Sequence, residues 1–206
     1  MKHNVKFNKE VDFDKYLDCA RVHYPILSYS SYISHGNRGV CLLLDSNNVI
    51  KVTCDISEAV TAINIMKNPN AYMPKYYDVT VDGDYAVIKI ERCEPLLSDE
   101  FILIHNFLES VLTISEDKGV SELELIKSKD KIFDDFRDEK LVVELEELVI
   151  NLSDCLDLKN FDLTANNVMR LRNKLVLIDQ HETHIDDSVM KSEIKYIDEY
   201  RSNRCI

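Results

Sequence analysis

In the stretch NFDLTANNVMRLRNKLVLIDQ, residues 160–180, Asp162 is followed five residues later by Asn167, and the apolar run Leu175-Val176-Leu177-Ile178 ends on a second aspartate, Asp179. Two carboxylates and a carboxamide are hard oxygen donors, which suit magnesium better than zinc. If VMRL and LVLI pair as strands joined at Arg172-Asn173-Lys174, all three groups fall at one end of a hairpin. Asx side chains at such spacings also cap loops through nearby backbone, so the spacing alone leaves both readings open. A lysine is the second chemical handle. Lys51 lies in the apolar strand VIKVT, where alternation sends Ile50 and Val52 to the face opposite Lys51 without saying which face is covered. Glu58 is the only Glu between Lys51 and Glu91. With Asp55 it has the spacing of a capping box at a helix start.

These groups need elements to carry them. Residues 11–27 space their apolar positions as a short helix stopped near Pro25. SYSSYIS, GVCLLLD and VIKVT then read as a three-stranded antiparallel meander within residues 28–53, turning at HGNRG and SNN. DISEAVTAINIMKN places Ile56, Val60, Ile63 and Met66 on one helical face. KYYDVTV and DYAVIKIE flank Asp82-Gly83, a strong hairpin signal. From residue 97 the texture turns helical: LSDEFILIHNFLESVLTI and DEKLVVELEELVINLSDCL have helical periodicity, and in the second Leu141, Leu145, Leu148, Leu152 and Leu156 share one side. Residues 116–140 read as a charged connection with some helix, and DSVMKSEIKYIDEYR as a last helix. The expected organisation is a β-rich lobe, residues 1–94, followed by a helical lobe, residues 95–206.

The composition narrows the function classes. The chain has 206 residues, 45% hydrophobic and 30% charged, with four Gly and four Pro, as in ordinary globular proteins. A formal charge of −12 argues against direct nucleic-acid binding, which needs a basic face. There is no apolar run of membrane-spanning length, and the N-terminal residues lack the apolar core of a secretion signal. The six scattered cysteines form no CxxC pair, and buried thiols in a reducing cytoplasm are expected. His181 and His184 near Glu182 read as loop histidines rather than a zinc site.

Taken in order, these motifs resemble the protein kinase-like superfamily in a small, divergent form, over most of residues 28–182. The resemblance implies an α+β, two-lobed fold, with a five-stranded antiparallel N-lobe and a reduced helical C-lobe. HGNRG sits where a glycine-rich nucleotide-covering loop would be, giving Gly36, Asn37, Arg38 and Gly39 to the phosphates. VIKVT looks like the third strand with its phosphate-binding lysine, Lys51, and Glu58 is the candidate acidic partner. IERCEPL resembles the adenine-binding hinge around Glu91 to Cys93. FDLTANNV is similar to the catalytic loop, making Asp162 the base and Asn167 a magnesium ligand, and LIDQH resembles the metal-binding triplet, making Asp179 the main magnesium ligand. The implied cofactors are ATP and Mg2+, and the implied activity is transfer of the γ-phosphate to a serine or threonine hydroxyl, its own included. The reading requires these polar side chains to meet in a crevice between lobes.

The texture also resembles small serine/threonine kinases carried by bacteriophages, which implies action on host proteins in the host cytoplasm. Departures from the family pattern are specific. Asn160-Phe161 replace the usual His-Arg, so an arginine link to a phosphorylated activation loop is absent. Gln180-His181 replace the Phe-Gly of the metal triplet, and Thr164 stands where a lysine often steadies the transferred phosphate. The chain after Asp179 is short, so the substrate platform is either reduced or completed by a second subunit; a homo-oligomer or a host-protein partner is also expected. Two rival readings keep the fold: a pseudokinase that binds a basic partner protein, and a phosphotransferase acting on small molecules.

Overall fold

The computed structural model describes residues 12–36, 38–128, 136, 139–156 and 163–178, with backbone alone at 155–156. They form two compact units, one of residues 12–68 and 75–92, the other of residues 69–74 and 93–178.

The first unit is built on a five-stranded, all-antiparallel sheet of order β1-β2-β3-β5-β4. Its strands are β1 (Tyr32–His35), β2 (Gly39–Leu43), β3 (Asn48–Thr53), β4 (Tyr76–Asp82) and β5 (Tyr85–Glu91). A helix covers each face. Helix α1 (Phe13–His23) turns Phe13, Tyr16, Leu17 and Ala20 inward at helical spacing. It ends before Pro25, whose ring disfavours helical backbone in the preceding residue. These side chains pack with Val40, Leu42, Ile50, Val52 and Val87 from one face of the sheet. Helix α2 (Ile56–Lys67) covers the other face through Ala59, Ala62 and Ile63 against Val79, Ala86 and Ile88. Both faces of β3 are thus covered, and its residues 50–53 are all buried.

The second unit combines α3 (Ser98–Lys118), α4 (Glu122–Ser128) and α5 (Lys140–Leu156) with a three-stranded sheet. Its strands are β6 (Glu94–Pro95), β7 (Val168–Leu171) and β8 (Lys174–Leu177). Ile104, Phe107, Val111, Ile126, Leu145, Leu148, Leu152 and Leu175 are essentially free of solvent contact. They form a helix-on-helix core closed on one side by β8. Phe107 meets Phe136 edge-on, their centroids 5.7 Å apart.

Several local expectations are corrected. The segment from Ser28 begins as a 3-10 turn, Tyr29–Ser31, with β1 only from Tyr32. The β4–β5 turn is Gly83-Asp84, because Asp82 still pairs with Tyr85, and Gly83 supplies the positive φ of 58°. The β7–β8 turn is Arg172-Asn173 alone, with Lys174 already in β8. Ile56 and Met66 lie at the edge of the α2 core, only half-buried. Among the described residues the thiols are not buried: Cys54 is exposed, and Cys19, Cys41 and Cys93 are half-exposed. The helix read in residues 187–201 lies outside the described residues. Among the described residues, no helix is long and apolar enough to cross a membrane.

Candidate functional site

The pleat of β3 sends Lys51 and Thr53 to the α2 face, while Ile50 and Val52 point at α1. Lys51 is only 9% exposed, and its Nζ lies 2.6 Å from Glu58 Oε2. Glu58 reaches it because α2 starts at Ile56, so its first turn lies just past the end of β3. The other carboxylate oxygen, Oε1, is 3.0 Å from the hydroxyl of Thr53, which is fully buried. The two roles open for Glu58 in the sequence are thereby resolved. Asp55 caps α2 by accepting from the Ser57 amide at 3.1 Å, and the Asp55 amide donates to Thr53 Oγ1 rather than to Glu58.

The β1–β2 turn is fastened to the same place. The Gly36 amide donates to the Gly39 carbonyl at 2.9 Å, closing the turn. The Arg38 carbonyl lies within reach of three donors: the Cys54 amide at 2.9 Å, Thr53 Oγ1 at 3.1 Å and the Tyr16 hydroxyl at 3.3 Å. Burial, then a hydrogen bond with Cys54, pushes the Tyr16 phenol well above its ordinary range, so it stays a protonated donor. The Arg38 guanidinium is exposed and lies 2.7 Å from Asp55 Oδ2. Burial raises the Asp55 pKa, but hydrogen bonds from Ser57 and Arg38 outweigh it and hold the carboxyl below its usual range. Gly39 is required by close approach: a Cβ there would sit 2.8 Å from the Val52 carbonyl oxygen. Gly36 is exposed, with open space where a Cβ would go.

At the end of this unit, the Glu91 amide is committed to the Lys75 carbonyl at 2.8 Å and the Arg92 amide to Asn47 at 2.8 Å. Cys93 begins the second unit and is half-exposed.

In the second unit, Asn167 ends a 3-10 turn, Ala165–Asn167, and is 9% exposed. Its carbonyl accepts from the Ile178 amide at 2.8 Å, which closes the hairpin below β7 and β8. Two carboxylates brace that hairpin. Glu100, in the first turn of α3, takes Nε and Nη2 of Arg170 at 3.0 and 2.5 Å, and also accepts from the Leu97 amide. The Arg170 hydrogen bonds hold the Glu100 carboxyl below its usual range despite opposing desolvation. Glu144 of α5 accepts from the Leu175 amide at 2.8 Å. A pocket of about 380 Å³ lies between α3 and residues Leu163, Thr164, Ala165 and Asn166, with His105, Glu109 and Glu122 among its lining.

Asn37, Asp162 and Asp179 lie outside the described residues, as do His181 and His184. Among the described residues, no three His, Cys, Asp or Glu side chains gather as a metal centre.

No family model and no curated protein matches the sequence. A solved structure described as the crystal structure of a kinase domain is similar to this chain, with a TM-score of 0.45 and 14% identity. The likeness covers 87% of this chain and 56% of that one, so the chain spans little more than half of that domain.

Sequence reasoning missed Thr53, Tyr16, Asp55 as the partner of Arg38, and the Glu100–Arg170 pair. Thr53 had a signal: two residues from Lys51 on a strand, it had to share the lysine's face. Glu100 and Arg170 lie 70 positions apart, and no spacing rule links them.

Proposed function

We propose that this chain is an ATP-dependent phosphotransferase of the protein kinase-like kind, acting on serine or threonine hydroxyls of a protein, its own included. The observation that carries the reading is the buried Lys51–Glu58 ion pair, on the third strand and following helix of a five-stranded antiparallel sheet. In kinase-like chemistry a strand lysine held by a helix glutamate is the group that grips phosphate oxygens. A buried ammonium paired with a carboxylate, and linked to a two-glycine turn, suits a triphosphate. Lys51 is the phosphate-binding cation and Glu58 aims it, while Gly36, Asn37, Arg38 and Gly39 cover the phosphates. The segment from Glu91 to Cys93 receives the base. Asn167 and Asp179 supply oxygen donors for Mg2+, and Asp162 accepts or orients the proton of the attacking hydroxyl. When bound, the magnesium-loaded nucleotide supplies the phosphoryl group and part of the charge neutralisation. On this reading the chain is encoded by a phage and modifies host proteins in the host cytoplasm, a role that rests on the sequence resemblance alone.

The test is transfer of radiolabel from γ-labelled ATP with magnesium, using wild type, K51A, D162A and D179A. Label is expected on wild type and acceptor protein and to vanish in the three variants. Equal label in all four overturns the assignment. Stabilisation by magnesium–ATP without transfer assigns the chain to nucleotide-dependent binding instead.

The pocket against Leu163–Asn166 favours a second acceptor class, because about 380 Å³ is within the range of small-molecule sites. Under this reading a small alcohol bearing a cationic group, rather than a protein, takes the phosphate, with Glu109 and Glu122 facing the cation. Presenting both acceptor types to the labelled-ATP assay separates the two.

A further inference from the structure

We propose that Thr53 is a positioning residue that couples the Arg38 carbonyl to the phosphate-binding lysine, by sharing one hydroxyl proton between the Glu58 carboxylate and that carbonyl. The proposal rests on the kinase-like reading of Lys51 and Glu58 and adds to it how that pair is held and sensed.

The argument begins with the number of partners a hydroxyl can serve. Thr53 Oγ1 has one hydrogen and two lone pairs. The Asp55 amide occupies a lone pair at 3.0 Å. The single hydrogen faces two acceptors at nearly equal range, Glu58 Oε1 at 3.0 Å and the Arg38 carbonyl at 3.1 Å. Thr53 is fully buried, so no solvent competes for the choice. An ionised carboxylate is the stronger acceptor, and the Arg38 carbonyl already has the Cys54 amide and Tyr16 hydroxyl as donors. The hydrogen therefore rests mainly on Glu58. There it fixes one carboxylate oxygen and leaves the other, Oε2, aimed at Lys51 Nζ.

The Arg38 carbonyl and the ion pair are thereby linked through one hydroxyl. If the Arg38 carbonyl loses the Tyr16 or Cys54 donor while staying beside Thr53, it competes more strongly for the Thr53 hydrogen. Glu58 loses a bond, and Lys51 loses part of its alignment. The hydroxyl thus links the Arg38 carbonyl to the lysine's partner through two hydrogen bonds.

The test uses the full chain with T53V, which keeps shape and removes the hydroxyl, and T53S, which restores it. Affinity for fluorescently labelled ATP in the presence of magnesium is expected to fall about ten-fold in T53V, the loss of one hydrogen bond to a charged group. T53S is expected to return within about two-fold of wild type, since it restores that bond. Backbone amide exchange without nucleotide should accelerate at Asp55 and Cys54 in T53V and recover in T53S. Unchanged affinity in T53V, or no recovery in T53S, overturns the proposal. If neither wild type nor K51A binds ATP, the kinase-like reading fails, and the exchange pattern still decides the coupling: unchanged rates at Cys54 and Asp55 reject it. T53C, with only a weak donor, replaces T53V if the valine variant does not fold, and the same thresholds apply.

Discussion

Lys51 Nζ and Glu58 Oε2 lie 2.6 Å apart although the two residues are on different elements and each side chain is only 11% exposed. Two charges so sheltered depend on each other, because removing one leaves the other buried without its main compensation. K51M and E58Q are each expected to lower stability by roughly 3 kcal/mol. The double variant K51M/E58Q is expected to cost clearly less than the sum. A double-mutant cycle by urea unfolding checks this, and additive effects would mean that the pair contributes no coupling.

The two glycines of the β1–β2 turn are expected to behave differently. In G39A the new methyl meets the Val52 carbonyl at 2.8 Å, backbone that can yield only by shifting β2 against β3. The expected cost is about 1–3 kcal/mol. G36A meets nothing within 4 Å and should stay within about 0.5 kcal/mol of wild type. Thermal melts of the two variants side by side decide the matter, and equal losses would count against the register given for β2.

Acid should loosen the second unit through Glu100. The Arg170 guanidinium holds its folded-state pKa below the unfolded value. A depressed carboxylate pKa gives stability that is complete above the unfolded value, about 4.3, and is lost as pH falls through the folded one. Unfolding midpoints measured from pH 7 down to pH 3 should therefore drop more in wild type than in R170L. An identical pH slope in the two would remove Arg170 as the cause.

The proposed oxygen donors for magnesium carry a prediction of metal dependence. Adding ATP with magnesium is expected to raise the melting temperature of the wild type, and chelation by EDTA to abolish the rise. N167A should need more magnesium for the same shift. A full shift in EDTA would mean that the nucleotide is held without the metal.

Much of the β-rich unit was legible because its signals are local. Alternation, the SNN turn and the aspartate-glycine pair near residue 83 are read within a few residues, and the strands formed where those signals lie. The direction of Lys51 was not legible. Both faces of β3 are covered, so no polar side marks the solvent, and only the packing of α1 on Ile50 and Val52 sets the lysine towards α2. The strand Glu94–Pro95 was missed for another reason. Two residues carry no periodicity, one of them is a proline, and the strand exists only because β7 pairs with it. The clasp around Arg38 was equally hidden, since three of its bonds end on a backbone carbonyl that every residue possesses.

The short stretch Pro69–Pro74 departs from its neighbours in the chain and belongs to the second unit, where the Tyr72 carbonyl accepts from the Leu177 amide at 3.1 Å. The polypeptide is therefore threaded, not simply divided. A fragment stopping at residue 92 would carry off the bonding partner of Leu177, and a fragment starting at 93 would have to fold without it. Neither half is a natural cut piece, and ribosomal synthesis must leave Tyr72 waiting until β8 emerges.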